Sequence, residues 1–152
     1  KPWSAASDVY KRQELGGDQG RIVASDILPM NSIAGVDFVQ GDFTDDLVFE
    51  RLLSVIGEQG ADLVISDIAP NMTGMSEIDQ PRSLGLAELA LEMAKTILKP
   101  GAYFLVKLFQ GAGYPEYHRE MQSRFNRVKT RKPKASRARS REVYLLGSGF
   151  QP

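Results

Sequence analysis

An α/β fold on a mostly parallel sheet is what this sequence predicts, and three observations predict it. Short runs rich in β-branched residues alternate with segments whose apolar residues recur at helical spacing. The run Ala61–Asp67 is too continuously apolar at its centre for a sheet wet on one face, so a sheet covered on both faces is expected. Charged residues stand at or just after successive strand ends, at Asp26, Asp42, Asp67 and Lys107. Ligands of open α/β sheets bind at that edge.

The elements follow in order. Arg21–Asp26 and Val36–Val39 read as strands, the second followed by Gln40-Gly41-Asp42. Asp45 or Asp46 can cap a helix running to about Ile56, with Leu47, Val48, Leu52, Leu53 and Ile56 on its inner face. After the strand Ala61–Asp67 comes a long loop, Ile68 to Asp79, rich in Pro, Asn, Gly and Met; it serves as a mobile lid or as a passive connection. Asp79 then reads as a helix cap with Pro81 in the first turn and Pro100-Gly101 as the stop. Ala87, Ala90, Leu91, Ala94, Ile97 and Leu98 form its apolar stripe, which is core. Tyr103–Lys107 is a strand and Tyr114–Phe125 a helix. Val128–Arg131 and Glu142–Leu146 are the closing strands, with a basic segment between them.

A chain of 152 residues, 42% apolar and 25% charged, suits one domain with one core. No apolar run is long enough to cross a bilayer and the first twenty residues carry no signal-peptide pattern. Cysteine is absent, which removes disulfides and thiolate metal sites, and the single histidine, His118, reads as a surface helix residue; no metal site is expected. The zero net charge hides an asymmetry. Asp42 to Asp79 holds nine acids and one base, Arg51, whereas Lys95 to Arg141 holds thirteen bases and two acids. Such a basic end is a solvated face or a seat for a polyanion, where each Lys or Arg on a phosphate releases condensed counterions.

Two neighbouring strand tips would carry Asp67, in Ser66-Asp67-Ile68-Ala69-Pro70-Asn71, and Lys107. Arginines and Glu142 enter the last strand in Ser136-Arg137-Ala138-Arg139-Ser140-Arg141-Glu142-Val143-Tyr144. If Asp67, Lys107 and Glu142 converge, they must pair to be desolvated, and pairing shifts their pKa values in ways catalysis uses. From spacing alone they are equally readable as ordinary strand-end salt bridges. These blocks, with Ala24–Met30, Gly41-Asp42-Phe43 and Val106–Gly111, resemble the FtsJ/RrmJ family (RlmE type), bacterial methylases of a uridine 2′-hydroxyl in large-subunit ribosomal RNA. They stand in family order from about Leu15 to Gly149.

The resemblance implies a Rossmann-like class I fold dependent on S-adenosylmethionine. Asp26 would hold the cofactor's ribose hydroxyls and Asp42 its adenine amino group, with Phe43 beside the ring. Asp67 would lie by the methionine end and join Lys107 and Glu142 as the catalytic set. Lys107 acts there as a base of lowered pKa, or stays charged and orients the hydroxyl while Asp67 fixes it. Lys129, Arg131, Lys132, Lys134, Arg137, Arg139 and Arg141 would meet the RNA. A cytoplasmic monomer acting on ribosomal RNA or the large subunit is expected, with no membrane. A nicotinamide dehydrogenase and a non-catalytic RNA-binding domain are the alternatives.

The family also carries a lysine and a glycine-rich loop like Asp-Leu-Gly-Ala-Ala-Pro-Gly-Gly-Trp after a first, central strand, and this sequence matches neither. Residues 1–13 are expected to be a foreign leader, Asp8–Gln13 resembling a translated sequencing adapter, and residues 14–152 a partial methyltransferase domain. Without the central strand, two part-sheets with unpaired edges are expected, and a chain that folds poorly and turns over little.

Overall fold

The computed structural model describes residues 20–132, 134 and 140–152. The expected leader, residues 1–13, and Arg137 and Arg139 of the basic segment therefore lie outside the described residues. The chain divides into two compact units, Lys1–Glu58 and Gln59–Pro152.

In the first unit β1 (Ile22–Asp26) pairs in parallel with β2 (Val36–Gln40), Ile22 opposite Val36 and Asp26 opposite Gln40. The helix α1 (Asp46–Ile56) follows. Asp45 is its cap, its Oδ1 accepting the Leu47 N–H at 2.9 Å, as its place before the apolar stripe predicts. Val39 and Leu52 form the buried centre of the unit. Leu47, expected on the inner face, is exposed. At 100° per residue it shares its side of the helix with exposed Arg51 and Ser54, opposite Leu52.

The second unit is a four-stranded sheet with helices packed against it. Its elements are β3 (Ala61–Ser66), α2 (Ser76–Ile97), β4 (Leu98–Phe109), α3 (Tyr114–Arg124), β5 (Phe125–Arg131) and β6 (Glu142–Phe150). The strand order is β3-β4-β6-β5, with β3 and β4 parallel and β6 antiparallel to both β4 and β5. Three of the four strands thus run one way, with β6 inserted against them. The described strands form one two-stranded and one four-stranded sheet.

Alternation along β4 and β6 decides the core. Phe104, Val106 and Leu108 of β4 and Val143 and Leu145 of β6 point to one face and are buried there. The α2 stripe of Ala87, Ala90, Leu91, Ala94 and Ile97 is buried as expected, and Tyr117 and Met121 of α3 join the same layer. The Tyr117 hydroxyl donates to the Ala87 carbonyl at 2.8 Å, which fastens α3 to α2. Phe104 stacks on Phe125, with centroids 6.3 Å apart.

Three expectations need correction. The second face of the four-stranded sheet has no covering helix among the described residues of this unit, and Leu63 and Ile65 of the edge strand β3 are exposed. A continuous apolar run marked β3 as doubly covered, but among the described residues of this unit helices pack on one face alone. Asp79 does not cap α2, which begins three residues earlier at Ser76 and contains Pro81 in its interior. Pro100-Gly101 does not end the helix against a loop. It lies within β4, where the pairing with β3 shifts between Ala61 and Leu63.

Phe104 has no exposed surface. Its replacement by Ala removes a large ring from between α2 and β5 and should cost about 3–5 kcal/mol in urea unfolding. Leu47→Ser, at the exposed side of α1, should change stability by less than about 0.5 kcal/mol.

Candidate active site

The tips of three adjacent strands assemble the site. In the parallel ladder Ser66 lies opposite Val106, so Asp67, the first residue past β3, comes beside Lys107, two residues before the end of β4. In the antiparallel ladder Lys107 lies opposite Tyr144 and Phe109 opposite Glu142, which puts Lys107, Tyr144 and Glu142 on one face. The Lys107 Nζ is 2.6 Å from Asp67 Oδ1 and 3.5 Å from Glu142 Oε1. The lysine side chain is 14% exposed, against 33% for Glu142 and 58% for Asp67. A mostly buried ammonium therefore stands between two carboxylates that water partly reaches.

Burial pulls the Lys107 pKa down, and it is the largest single influence. The hydrogen bond that Lys107 donates to Asp67, the charges of Asp67 and Glu142 and the nearby Tyr144 together outweigh it, and the net shift is upward. Lys107 is thus an ammonium at neutral pH. The Tyr144 phenol is pushed up by burial first, then by Asp67 and Glu142 against the pull of Lys107. It belongs to the same electrostatic cluster. The sequence reading quoted Tyr144 within a motif and gave it no role; the signal that finds it is the two-residue period of β6, which returns it to the face of Glu142.

A second pair of expected residues sits in the first unit. Asp26 ends β1, and Asp42 follows the adjacent parallel β2 through Gly41, whose N–H donates to the Asp26 carbonyl at 2.9 Å. Both side chains are exposed, and Phe43 beside them is half-buried. Asp26 Oδ1 accepts the Leu28 N–H at 3.1 Å. Asp42 Oδ1 accepts from the Thr44 hydroxyl at 2.7 Å and the Thr44 N–H at 3.0 Å, and these bonds hold its carboxyl below the usual range. Each carboxylate keeps a second oxygen for a donor from outside.

The expected RNA contacts divide by face. Arg131 lies opposite Tyr144 on β6, and Lys129 opposite Leu146, so both share the face of Lys107. Arg127, two residues earlier and opposite Ser148, continues the line and was missed by the sequence reading. Among the described residues no ion pair engages Arg127, Lys129 or Arg131, although Lys95, Lys99 and Lys107 are all paired. Lys132 donates to the Ser140 carbonyl at 2.8 Å, and Lys134 and Arg141 are exposed. His118 lies on α3 with its ring 6.1 Å from that of Tyr114.

The profile of FtsJ-like methyltransferases matches residues 6–150. The chain belongs to the FtsJ-like methyltransferase family. Its curated relatives in this family include the ribosomal RNA large subunit methyltransferase E of Pseudomonas paraeruginosa, 56% identical over 135 residues, which are 89% of this chain and 65% of that protein. The protein of the same name from Cellvibrio japonicus is 56% identical over 134 residues, 88% of this chain and 64% of that protein. The chain thus spans about 65% of the length of the relatives it matches. A Plasmodium falciparum protein described as a ribosomal RNA methyltransferase shares the fold with a TM-score of 0.79 at 24% identity, over 98% of this chain and 81% of that one. A Streptococcus mutans methyltransferase solved in complex with SAH has a TM-score of 0.52 at 11% identity, over 86% of this chain and 72% of that one. Membership of the family sets aside the nicotinamide dehydrogenase alternative.

Because the raised pKa belongs to the folded state, the stabilisation from the Lys107 pair is fully present below about pH 10.5 and is lost as pH rises through the raised value. Side-chain NMR of Lys107 should follow that titration, and Asp67→Asn should lower its midpoint more than Glu142→Gln, because Asp67 is the nearer carboxylate.

Proposed function

We propose that the protein transfers a methyl group from S-adenosylmethionine to a ribose 2′-hydroxyl of large-subunit ribosomal RNA, as a cytoplasmic monomer. The observation that carries this reading is the buried Lys107 ammonium held between Asp67 and Glu142 at the strand tips of an FtsJ-like chain. The curated relatives named above, methyltransferases of large-subunit ribosomal RNA, supply the substrate class.

The residues at the strand tips of the first unit fit the cofactor by their chemistry. Ribose hydroxyls and an adenine amino group are donors, and Asp26 and Asp42 offer exposed carboxylate oxygens at adjacent strand tips, with half-buried Phe43 next in sequence to Asp42. S-adenosylmethionine, when bound, supplies an electrophilic sulfonium methyl. The task of this chain's own residues is alignment and proton removal. Lys107 donates an N–H to the 2′-oxygen and fixes its approach, since an ammonium of raised pKa is no base at neutral pH. Asp67 and Glu142 hold the ammonium in place. The Asp67 carboxylate, the more exposed of the two, would take the hydroxyl proton when the sulfonium methyl is presented to the 2′-oxygen.

Arg127, Lys129 and Arg131 support RNA as the substrate. A strand repeats its face every two residues, about 6.8 Å, so these three cations line one side of β5 with no acid partners among the described residues. Single-stranded phosphates placed along such a line release about 0.7 counterion per contact.

Two measurements test the reading. Radiolabelled methyl transfer to large-subunit particles, by this chain and by a full-length relative, should fall at least about 100-fold when Lys107 or its counterpart is replaced by Ala, with cofactor affinity changed only modestly. Near-normal turnover in that variant would remove Lys107 from the mechanism. Replacing Arg127, Lys129 and Arg131 together by Gln should lower the salt slope of RNA binding by about 2. An unchanged slope would assign the line to solubility of an edge strand instead.

A further inference from the structure

We propose that Asp79 and Gln80, consecutive residues in the first turns of α2, are a clasp that holds the loops following Asp67 and Lys107, and are positioning residues for the site. The proposal rests on the reading of Asp67 and Lys107 as the reacting pair.

The first arm of the clasp reaches the loop after β3. Asp79 is 5% exposed, with its carboxylate turned back along the chain. Oδ1 accepts the Thr73 N–H at 2.8 Å and the Thr73 hydroxyl at 2.9 Å, and Oδ2 accepts the Gly74 N–H at 3.0 Å. Thr73 Oγ1 in turn accepts the Met75 N–H at 3.1 Å. These bonds hold the Asp79 carboxyl below the usual carboxylate range, the Thr73 N–H contributing most, so the arm persists as a full charge at neutral pH. The first turn of a helix also favours a carboxylate through its unpaired N–H groups. Met75, at the cap position, makes no side-chain cap of its own. The aspartate is spent on the loop rather than on the helix end.

The second arm reaches the loop after β4. The Gln80 side-chain amide donates to the Phe109 carbonyl at 3.0 Å and to the Ala112 carbonyl at 3.4 Å. Gly111 packs flat on that amide, and a Cβ there would meet the Gln80 Cδ and Nε2 at 3.0 Å. Gly113, at φ +86°, lies so close to Leu84 of α2 that a Cβ would stand 2.2 Å from its Cδ2. Phe109 is two residues past Lys107, and Thr73 is six past Asp67. One rigid helix therefore grips both chain segments that leave the site.

Pairing with β6 fixes the backbone of Lys107 within β4, which ends two residues later at Phe109, whereas Asp67 lies just past the end of β3, where the following loop sets its course. That loop and the end of β4 are tied to neighbouring residues of α2. The loop that the sequence left as lid or connection is on this account a preset wall.

Amide exchange and the Lys107 side-chain titration, read by NMR on the chain and three variants, test the proposal. Asp79→Ala should speed exchange of the Thr73 and Gly74 amides by on the order of tenfold or more, and Asp79→Asn, which keeps one acceptor oxygen, by less. Gln80→Leu should leave those amides unchanged. Both Asp79→Ala and Gln80→Leu should return the Lys107 titration toward that of an ordinary lysine, with Asp79→Asn restoring part of the shift. If Asp79→Ala does not fold, Asp79→Asn and Gln80→Leu decide the matter by the same readout. A Lys107 titration unmoved in the folded variants overturns the clasp. Neither cofactor nor RNA enters the measurement, so its outcome is separate from that of the methyl-transfer assay.

Discussion

A lysine ammonium withdrawn from water between two carboxylates is the constraint around which the second unit is arranged. Isolated, such a buried charge would give up its proton or unfold its surroundings. Here the Asp67 contact at 2.6 Å and the Glu142 contact at 3.5 Å reverse the pull of burial and keep it charged. That arrangement needs three strands from distant parts of the chain in one register. Parallel β3 and β4 bring Asp67 to Lys107, and antiparallel β6, inserted beside β4, brings Glu142 and Tyr144. The apolar ladder of Phe104, Val106, Leu108, Val143 and Leu145 on the opposite face fixes this register, because a slip of one residue would expose all five.

The charge state of Lys107 selects between the two roles open to it. A lysine that serves as a base needs a lowered pKa, supplied by burial or a neighbouring cation. Burial alone acts in that direction here, and the carboxylates overcome it. In the proposed methyl transfer the lysine would then orient the hydroxyl and an acidic neighbour would take the proton. Arg127, Lys129 and Arg131 of β5, without ion-pair partners among the described residues, share the face of Lys107, so the proposed attraction for a polyanion and the proposed alignment of its hydroxyl would belong to one surface of the sheet.

Much of this was legible in the residues. Strand-end charge identified Asp67, because a short apolar run that stops at a charge has few other places to put it than a sheet edge; Lys107 was found the same way, although β4 runs two residues beyond it and the lysine stands inside the strand. Motif order supplied Glu142. Arg127 was not assigned because face-sharing depends on strand extent: β5 starts at Phe125, three residues before the apparent start at Val128. Asp79 was misread for a related reason. An aspartate two residues before a proline has the signature of a helix start, and only the three-dimensional path of the preceding loop shows its carboxylate returned to Thr73 and Gly74. Leu63 and Ile65 show the same limit, since an apolar run records what a strand can bury and not which of its faces has a partner.

The pH dependence of single-turnover methyl transfer, in a full-length relative and its variant at the position of Lys107, reaches the centre of this account. A lysine that remains an ammonium predicts a rate that is flat from about pH 6 to 9 and falls only as the raised titration is approached. A rate that climbs through neutral pH, with the climb abolished in the lysine variant, would show a neutral amine taking the proton and would contradict it.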